Sequence, residues 1–187
     1  MAGKPILING SWVETGHLVP NINPSDTSDV VAEYCQAGRA ETQAAIADAR
    51  AAFQQWSHST PQLRHDILKT AGDEIFQRRD EIGRLLSREE GKTLAEGIGE
   101  TIRAAQIFDF FAGEALRLTG DKLPSVRPSI DVEVTREPIG VIGIITPWNF
   151  PIAIPAWKIA PALCFGNCVV FKPAELVPGS AWEITDI

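Results

Sequence analysis

Ile139-Gly140-Val141-Ile142-Gly143-Ile144-Ile145 is apolar from end to end, and Cys168-Val169-Val170-Phe171 repeats that character after a helical stretch over 151–163. A strand with one wet face alternates apolar and polar residues. A strand without alternation is covered on both faces, as in a parallel sheet. Strand, helix and strand in this order form a βαβ unit with a right-handed crossover. The sequence therefore predicts an α/β protein whose parallel sheet is incomplete, holding one βαβ unit, with a further helix beginning near Pro178.

Upstream the pattern changes. Ile130, Val132 and Val134 alternate with Asp131, Glu133 and Thr135, which predicts a strand with one apolar and one polar face. The segment from Gly120 to Pro128 has turn formers at both ends and little periodicity, and it reads as a connector. The chain thus divides into three regions, 1–120, 121–137 and 138–187. The first is mostly helical. Ile46, Ala49, Phe53 and Trp56 recur at helical steps; Thr60-Pro61 reads as cap and first residue of a helix with Leu63, Ile67, Ala71 and Ile75 as its stripe. Further helices are expected over 81–90, closed by Gly91, and from about Leu94 to Leu118. At the N-terminus Ile6-Leu7-Ile8, Asn9-Gly10 and Ser11-Trp12-Val13 spell a hairpin with a two-residue turn, beside which Val30 to Cys35 is expected to pair.

Composition narrows the function classes. Of 187 residues 44% are hydrophobic and 22% charged, enough for one substantial core. A formal charge of −7 repels nucleic acid and anionic lipid, so neither is expected as a partner. No stretch approaches the roughly 20 apolar residues of a membrane span. Three cysteines, Cys35, Cys164 and Cys168, make no disulfide framework, and a cytoplasmic location is expected. His17, His58 and His65 lack ligand spacing, so no metal site is expected. Gly97-Ile98-Gly99 imitates a dinucleotide fingerprint, but it comes after helix signals and lacks the third glycine. Arg88-Glu89-Glu90 with Lys92 reads as a solvated helix face.

Ligands of open α/β sheets bind beyond the carboxyl ends of the strands. Two polar clusters fall there: Thr146-Pro147-Trp148-Asn149-Phe150-Pro151 and Lys172-Pro173-Ala174-Glu175. The prolines restrict the first loop, so the Asn149 amide can be fixed in one direction and serve a developing oxyanion; the same side chain could instead cap the next helix. Lys172 and Glu175 offer an ammonium and a carboxylate that suit a ribose diol, or they form a solvated pair.

The run from Glu137 through Pro151, then Pro155 to Leu163, Gly166-Asn167 and Val170 to Glu175, resembles the N-terminal part of NAD(P)-dependent aldehyde dehydrogenases. Ile8 to Val13, Asn23-Pro24 and Arg88 to Lys92 are similar to words that family places upstream. The resemblance implies an incomplete Rossmann-like parallel sheet preceded by a mainly helical region with a short β-hairpin, the two belonging to a cofactor-binding domain. It also implies oxidation of an aldehyde to a carboxylic acid through a cysteine thioester, with NAD(P) as hydride acceptor. By that resemblance Asn149 steadies the oxyanion, while Ile145, Thr146, Pro147, Trp148, Lys172, Pro173, Ala174 and Glu175 bind the cofactor. A carboxylate at Glu175 favours NAD over NADP, and Lys172 leaves room for either. The strand from Ile130 to Thr135 resembles the family's oligomerisation arm, implying a homo-oligomer. Arg127 to Asn149 with Glu175 to Gly179 is similar to the branch acting on 2-oxoglutarate semialdehyde.

One departure matters as much as the match. The family's Gly-Gln-x-Cys nucleophile motif, Glu-Leu-Gly-Gly base motif and Gly-Ser-Thr cofactor loop do not occur in these residues. Residues 1–187 alone are therefore expected to be inactive, and a non-catalytic nucleotide-binding or oligomerisation fragment is the alternative.

Overall fold

A computed structural model describes residues 3–187. Its elements are β1 (Ile6–Ile8), β2 (Ser11–Val13), β3 (Leu18–Ile22), β4 (Val30–Cys35), α1 (Arg39–Trp56), α2 (Pro61–Gln77), α3 (Arg79–Glu90), α4 (Leu94–Ala115), β5 (Asp121–Pro124), β6 (Asp131–Val134), β7 (Val141–Ile145), α5 (Ala153–Cys164), β8 (Cys168–Lys172) and α6 (Pro178–Asp186).

The βαβ unit forms as the apolar runs require: β7 and β8 pair in parallel, with Val141 opposite Cys168 and Ile145 opposite Lys172. The chain leaves α5 through a left-handed Gly166, with the Gly166 amide bonded to Leu163 O and the Asn167 amide to Ala162 O, a Schellman closure. Asn167 Oδ1 then accepts from Ile139 N at 2.7 Å and Gly140 N at 3.1 Å. One asparagine thus joins the end of the helix to the entry of the first strand. Coverage on both faces is not what the sheet has: Ile144 is buried, whereas Ile145 is 75% exposed. Two strands with α1 and α5 against them cover only part of each face.

Beneath the unit lies the core, built from Leu68 and Ile75 of α2, Ile82 and Leu86 of α3, Phe108 and the small residues of α4, and Ile152, Ala156 and Ala160 at and within α5. Small residues let α3 and α4 approach closely. A Cβ on Gly83 would sit 2.7 Å from Ile98 Cα, and one on Gly97 would run into the Gly83 carbonyl. Helix-to-helix contact is thus the use of Gly97.

Start and stop signals obey the chemistry. Thr60 caps α2 through the Leu63 amide, Pro61 occupies the first turn, and Gly91 ends α3 at φ 89°. The inward face of α2 differs from the expected stripe: Arg64, Leu68, Gly72 and Ile75 are buried, while Leu63 and Ile67 face out. Arg64 is drawn inward because its guanidinium bonds four oxygens, on Ser57, on Ser59 twice, and on Cys164. The stripe in α1 is half-covered at best, with Ile46 exposed.

Asn9 and Gly10 take the left-handed conformations of a tight hairpin turn between β1 and β2. Val30–Cys35 does not extend that hairpin as a full ladder. It touches the N-terminal segment by one bridge, Lys4 to Tyr34, and its ladder partner is β3, whose Pro20 and Asn21 hid a strand from apolar periodicity. The connector also contains structure: Asp121–Pro124 pairs antiparallel with β6. Lys122, Asp131 and Glu133 share one face, and Leu123, Val132 and Val134 stay exposed. No helix among the described residues is long and apolar enough to cross a membrane.

Candidate functional site

Register decides what meets at the carboxyl end of the sheet. Because Ile145 faces Lys172, the loops 146–151 and 173–177 leave adjacent strand tips, joined by Thr146 N to Lys172 O at 3.4 Å. Thr146 is buried there, while Pro147, Trp148, Asn149 and Phe150 are exposed. The Asn149 side chain makes no hydrogen bond among the described residues, and α5 has no side-chain cap from its own entry residues. Capping is therefore not what occupies this amide.

Another group does the capping. Glu100, on the buried face of α4, accepts from Ile152 N at 3.0 Å and Ala153 N at 3.1 Å through Oε1, and from Lys92 Nζ at 2.6 Å through Oε2. Its negative charge sits at the positive end of the α5 dipole. Lys92 also reaches the Asn149 carbonyl at 3.3 Å, lies 4.7 Å from the centre of the Phe150 ring, and pairs with Glu90 at 3.2 Å. Alongside opens a cavity of about 640 Å³ bordered by Lys92, Arg103, Phe150, Ala153 and Trp157.

On the other strand tip, Lys172 and Glu175 form an ion pair across the turn, both side chains more than half exposed. The bond from Lys172 holds the Glu175 carboxyl below its usual range. Ala174 is buried beneath them and Pro173 partly so. The stretch from Leu176 to Ser180 is anchored from a distance: Asn21 Nδ2 donates to Leu176 O at 3.0 Å, and both oxygens of Glu89 accept, at 2.7 Å each, from Gly179 N and Ser180 N at the start of α6. Burial pushes the Glu89 carboxyl up to about 7 against the pull of those amides.

The run from Arg88 to Lys92 is thus not a solvated face. Arg88 alone behaves so, paired with Asp29, whereas Glu89 is 2% exposed and Lys92 is largely enclosed. Sequence reasoning also passed over Glu100. Both glutamates carried a signal: Glu89 continues the stripe from Ile82 through Leu86, and Glu100 falls between Gly97 and Ala104 on the inward face of α4. A charge on a buried stripe demands partners. The cysteines fill core space, and burial raises the Cys164 thiol to about 11, which leaves it unreactive near neutrality.

Residues 12–187 match the Aldehyde dehydrogenase family. The chain is 44% identical over 179 residues to the alpha-ketoglutarate semialdehyde dehydrogenase of Haloferax volcanii, an alignment covering 95% of this chain and 37% of that protein. A crystal structure of an E. coli NADP-dependent enzyme superposes with a TM-score of 0.95 at 36% identity, over 98% of this chain and 38% of the other. The betaine aldehyde dehydrogenase of Staphylococcus aureus, solved in complex with NAD+, gives a TM-score of 0.92 at 32% identity, over all of this chain and 37% of that one. The chain therefore spans little more than a third of the length of the relatives it matches. With the strand-tip loops, the helical buttress and these likenesses in agreement, the chain belongs to the aldehyde dehydrogenase family.

Proposed function

We propose that residues 1–187 supply the adenosine-ribose clasp and the oxyanion amide of an enzyme that oxidises an aldehyde to a carboxylic acid. In this assignment 1–120 buttress the site, 138–187 begin the cofactor-binding unit, and 121–137 lie between them. The nucleophilic cysteine and base glutamate belong to polypeptide outside these residues, so the chain by itself is inactive.

The register of Ile145 against Lys172 carries the proposal, because it places both loops at one end of one sheet. The donor set fits a dinucleotide: Glu175 can accept from a ribose diol, Lys172 can donate to it, and Ile145, Thr146, Pro147 and Trp148 offer a mixed apolar and backbone surface beside them. Pro173 and Ala174 set the turn that presents the pair. When bound, such a cofactor accepts hydride. The chain's own contribution to the chemistry is an amide: Asn149 Nδ2, free of other partners among the described residues, donates to the oxygen that gains charge as a thiol adds to the carbonyl.

Glu175 supports NAD as the preferred cofactor, since a carboxylate repels a 2′-phosphate; Lys172 softens that repulsion and leaves NADP usable. The name of the Haloferax relative supports a semialdehyde with a distal carboxylate, 2-oxoglutarate semialdehyde in particular, as substrate. The uncovered apolar residues of β5 and β6 support assembly into a homo-oligomer. Asn149→Ala tests the role of the amide in a chimera where 1–187 replace the matching third of the Haloferax enzyme. Its kcat is expected to fall about 100- to 1,000-fold, with KM for the cofactor little changed. Undiminished kcat would remove the oxyanion role.

A further inference from the structure

Lys92 and Glu100 lie some fifty residues before the Asn149 loop in sequence, yet Glu100 bonds Lys92 and the two amides at the start of α5, and Lys92 divides its ammonium among Glu100, Glu90 and the Asn149 carbonyl. Glu100 is nearly inaccessible, with its side chain 3% exposed, and its three donors are two loop-to-helix amides and one ammonium. Lys92 touches Asn149 and Phe150, both exposed residues outside the hydrophobic core. Glu100 ties α4 to the buried first turn of α5, and Lys92 extends that tie to the exposed loop that precedes it.

We infer that Lys92 and Glu100 are positioning residues that hold the 149–153 backbone, and with it the direction of the Asn149 amide, on the premise that this amide serves the oxyanion. Glu100 fixes the helix end of the segment by taking the Ile152 and Ala153 amides, and Lys92 fixes the loop end by donating to the Asn149 carbonyl. The ion pair between them makes the two ends one unit. Removing Lys92 leaves the Glu100 carboxylate enclosed without a cation, and removing Glu100 leaves the Ile152 and Ala153 amides without an acceptor while Lys92 keeps Glu90, so in either variant the segment must open or rehydrate.

Amide hydrogen exchange of residues 1–187, read by mass spectrometry, tests this without any turnover. Lys92→Met is expected to speed exchange across 149–153 by about threefold and Glu100→Ala by about tenfold, while amides of the α2 and α3 core around Ile75 and Leu86 keep their rates. Lys92→Arg, which retains a donor and the charge, is expected to restore the loop. Equal acceleration in loop and core, or unchanged exchange over 149–153 in Lys92→Met, would overturn the inference. If Glu100→Ala does not fold, Lys92→Met and its arginine rescue decide the matter. The premise fails separately: an active Asn149→Ala chimera removes the oxyanion role and leaves the clamp standing, whereas flat exchange removes the clamp and leaves the oxyanion role standing.

Discussion

Glu89 shows how one buried carboxylate can carry a position and a pH dependence together. Burial raises its carboxyl from 4.5 to about 7, and the two α6 amides pull the other way. The folded state thus holds the proton more tightly than the unfolded chain. That advantage is complete where both states are protonated and is lost as pH climbs from about 4.5 through about 7. The thermal midpoint is therefore expected to fall across this window, and Glu89→Gln to flatten the fall. Parallel pH profiles for the two proteins would show that Glu89 is already ionised at the acid end. The positions of Asn149, Lys172 and Glu175 at one end of the sheet were legible because each lies at or just beyond the tip of a recognisable strand. Lys92 and Glu100 were not, because what they serve is a backbone segment some fifty residues away, brought near by the packing of α4 on α5.

Among the elements, the crossing of α3 and α4 depends on two glycines. Gly97 faces the Gly83 carbonyl with no room for a methyl group, while Gly99, two residues on, has nothing near its missing Cβ. Gly97→Ala is expected to cost about 1–3 kcal/mol through overpacking. Gly99→Ala is expected to stabilise by up to about 1 kcal/mol through helix propensity. Denaturant midpoints of the two variants check both signs, and equal effects would mean that the helices do not meet at Gly97. The same pair explains a limit of sequence reading, since Gly-Ile-Gly spells either a fingerprint or a helix contact until the neighbour is known. The face of α2 shows another. Leu63 and Ile67 form a fair stripe, but the carbonyls offered to Arg64 turn the helix so that they look outward. Strand β3 stayed hidden because Pro20 and Asn21 interrupt its apolar pattern, although Asn21 is buried and ties the strand to Leu176.

Across the whole molecule, the helical core is tied to the helices that follow both strand tips. Helices α2 to α4 form the core on which α5 lies; α4 holds the start of α5, just past the first loop, through Glu100, and α3 holds the start of α6, just past the second, through Glu89. Edges remain open: β7 and β8 have no further strands beside them among the described residues, and β5 with β6 displays Leu123, Val132 and Val134 to solvent. Apolar edges of this kind invite pairing with other chain. They fit a chain that spans little more than a third of its relatives' length. The α/β class and the βαβ unit could be read from two apolar runs, because a non-alternating strand has few places to go. The exposure of its outer face could not, because it depends on how much sheet the chain supplies.

Hydrogen exchange of residues 1–187 with and without millimolar NAD+ shows whether the two strand tips form one cofactor site. Slowed exchange in both 145–149 and 172–176, saturating together at one NAD+ concentration, is the expected result. Exchange unchanged in either segment at millimolar NAD+ would mean that the two strand tips do not form one cofactor site.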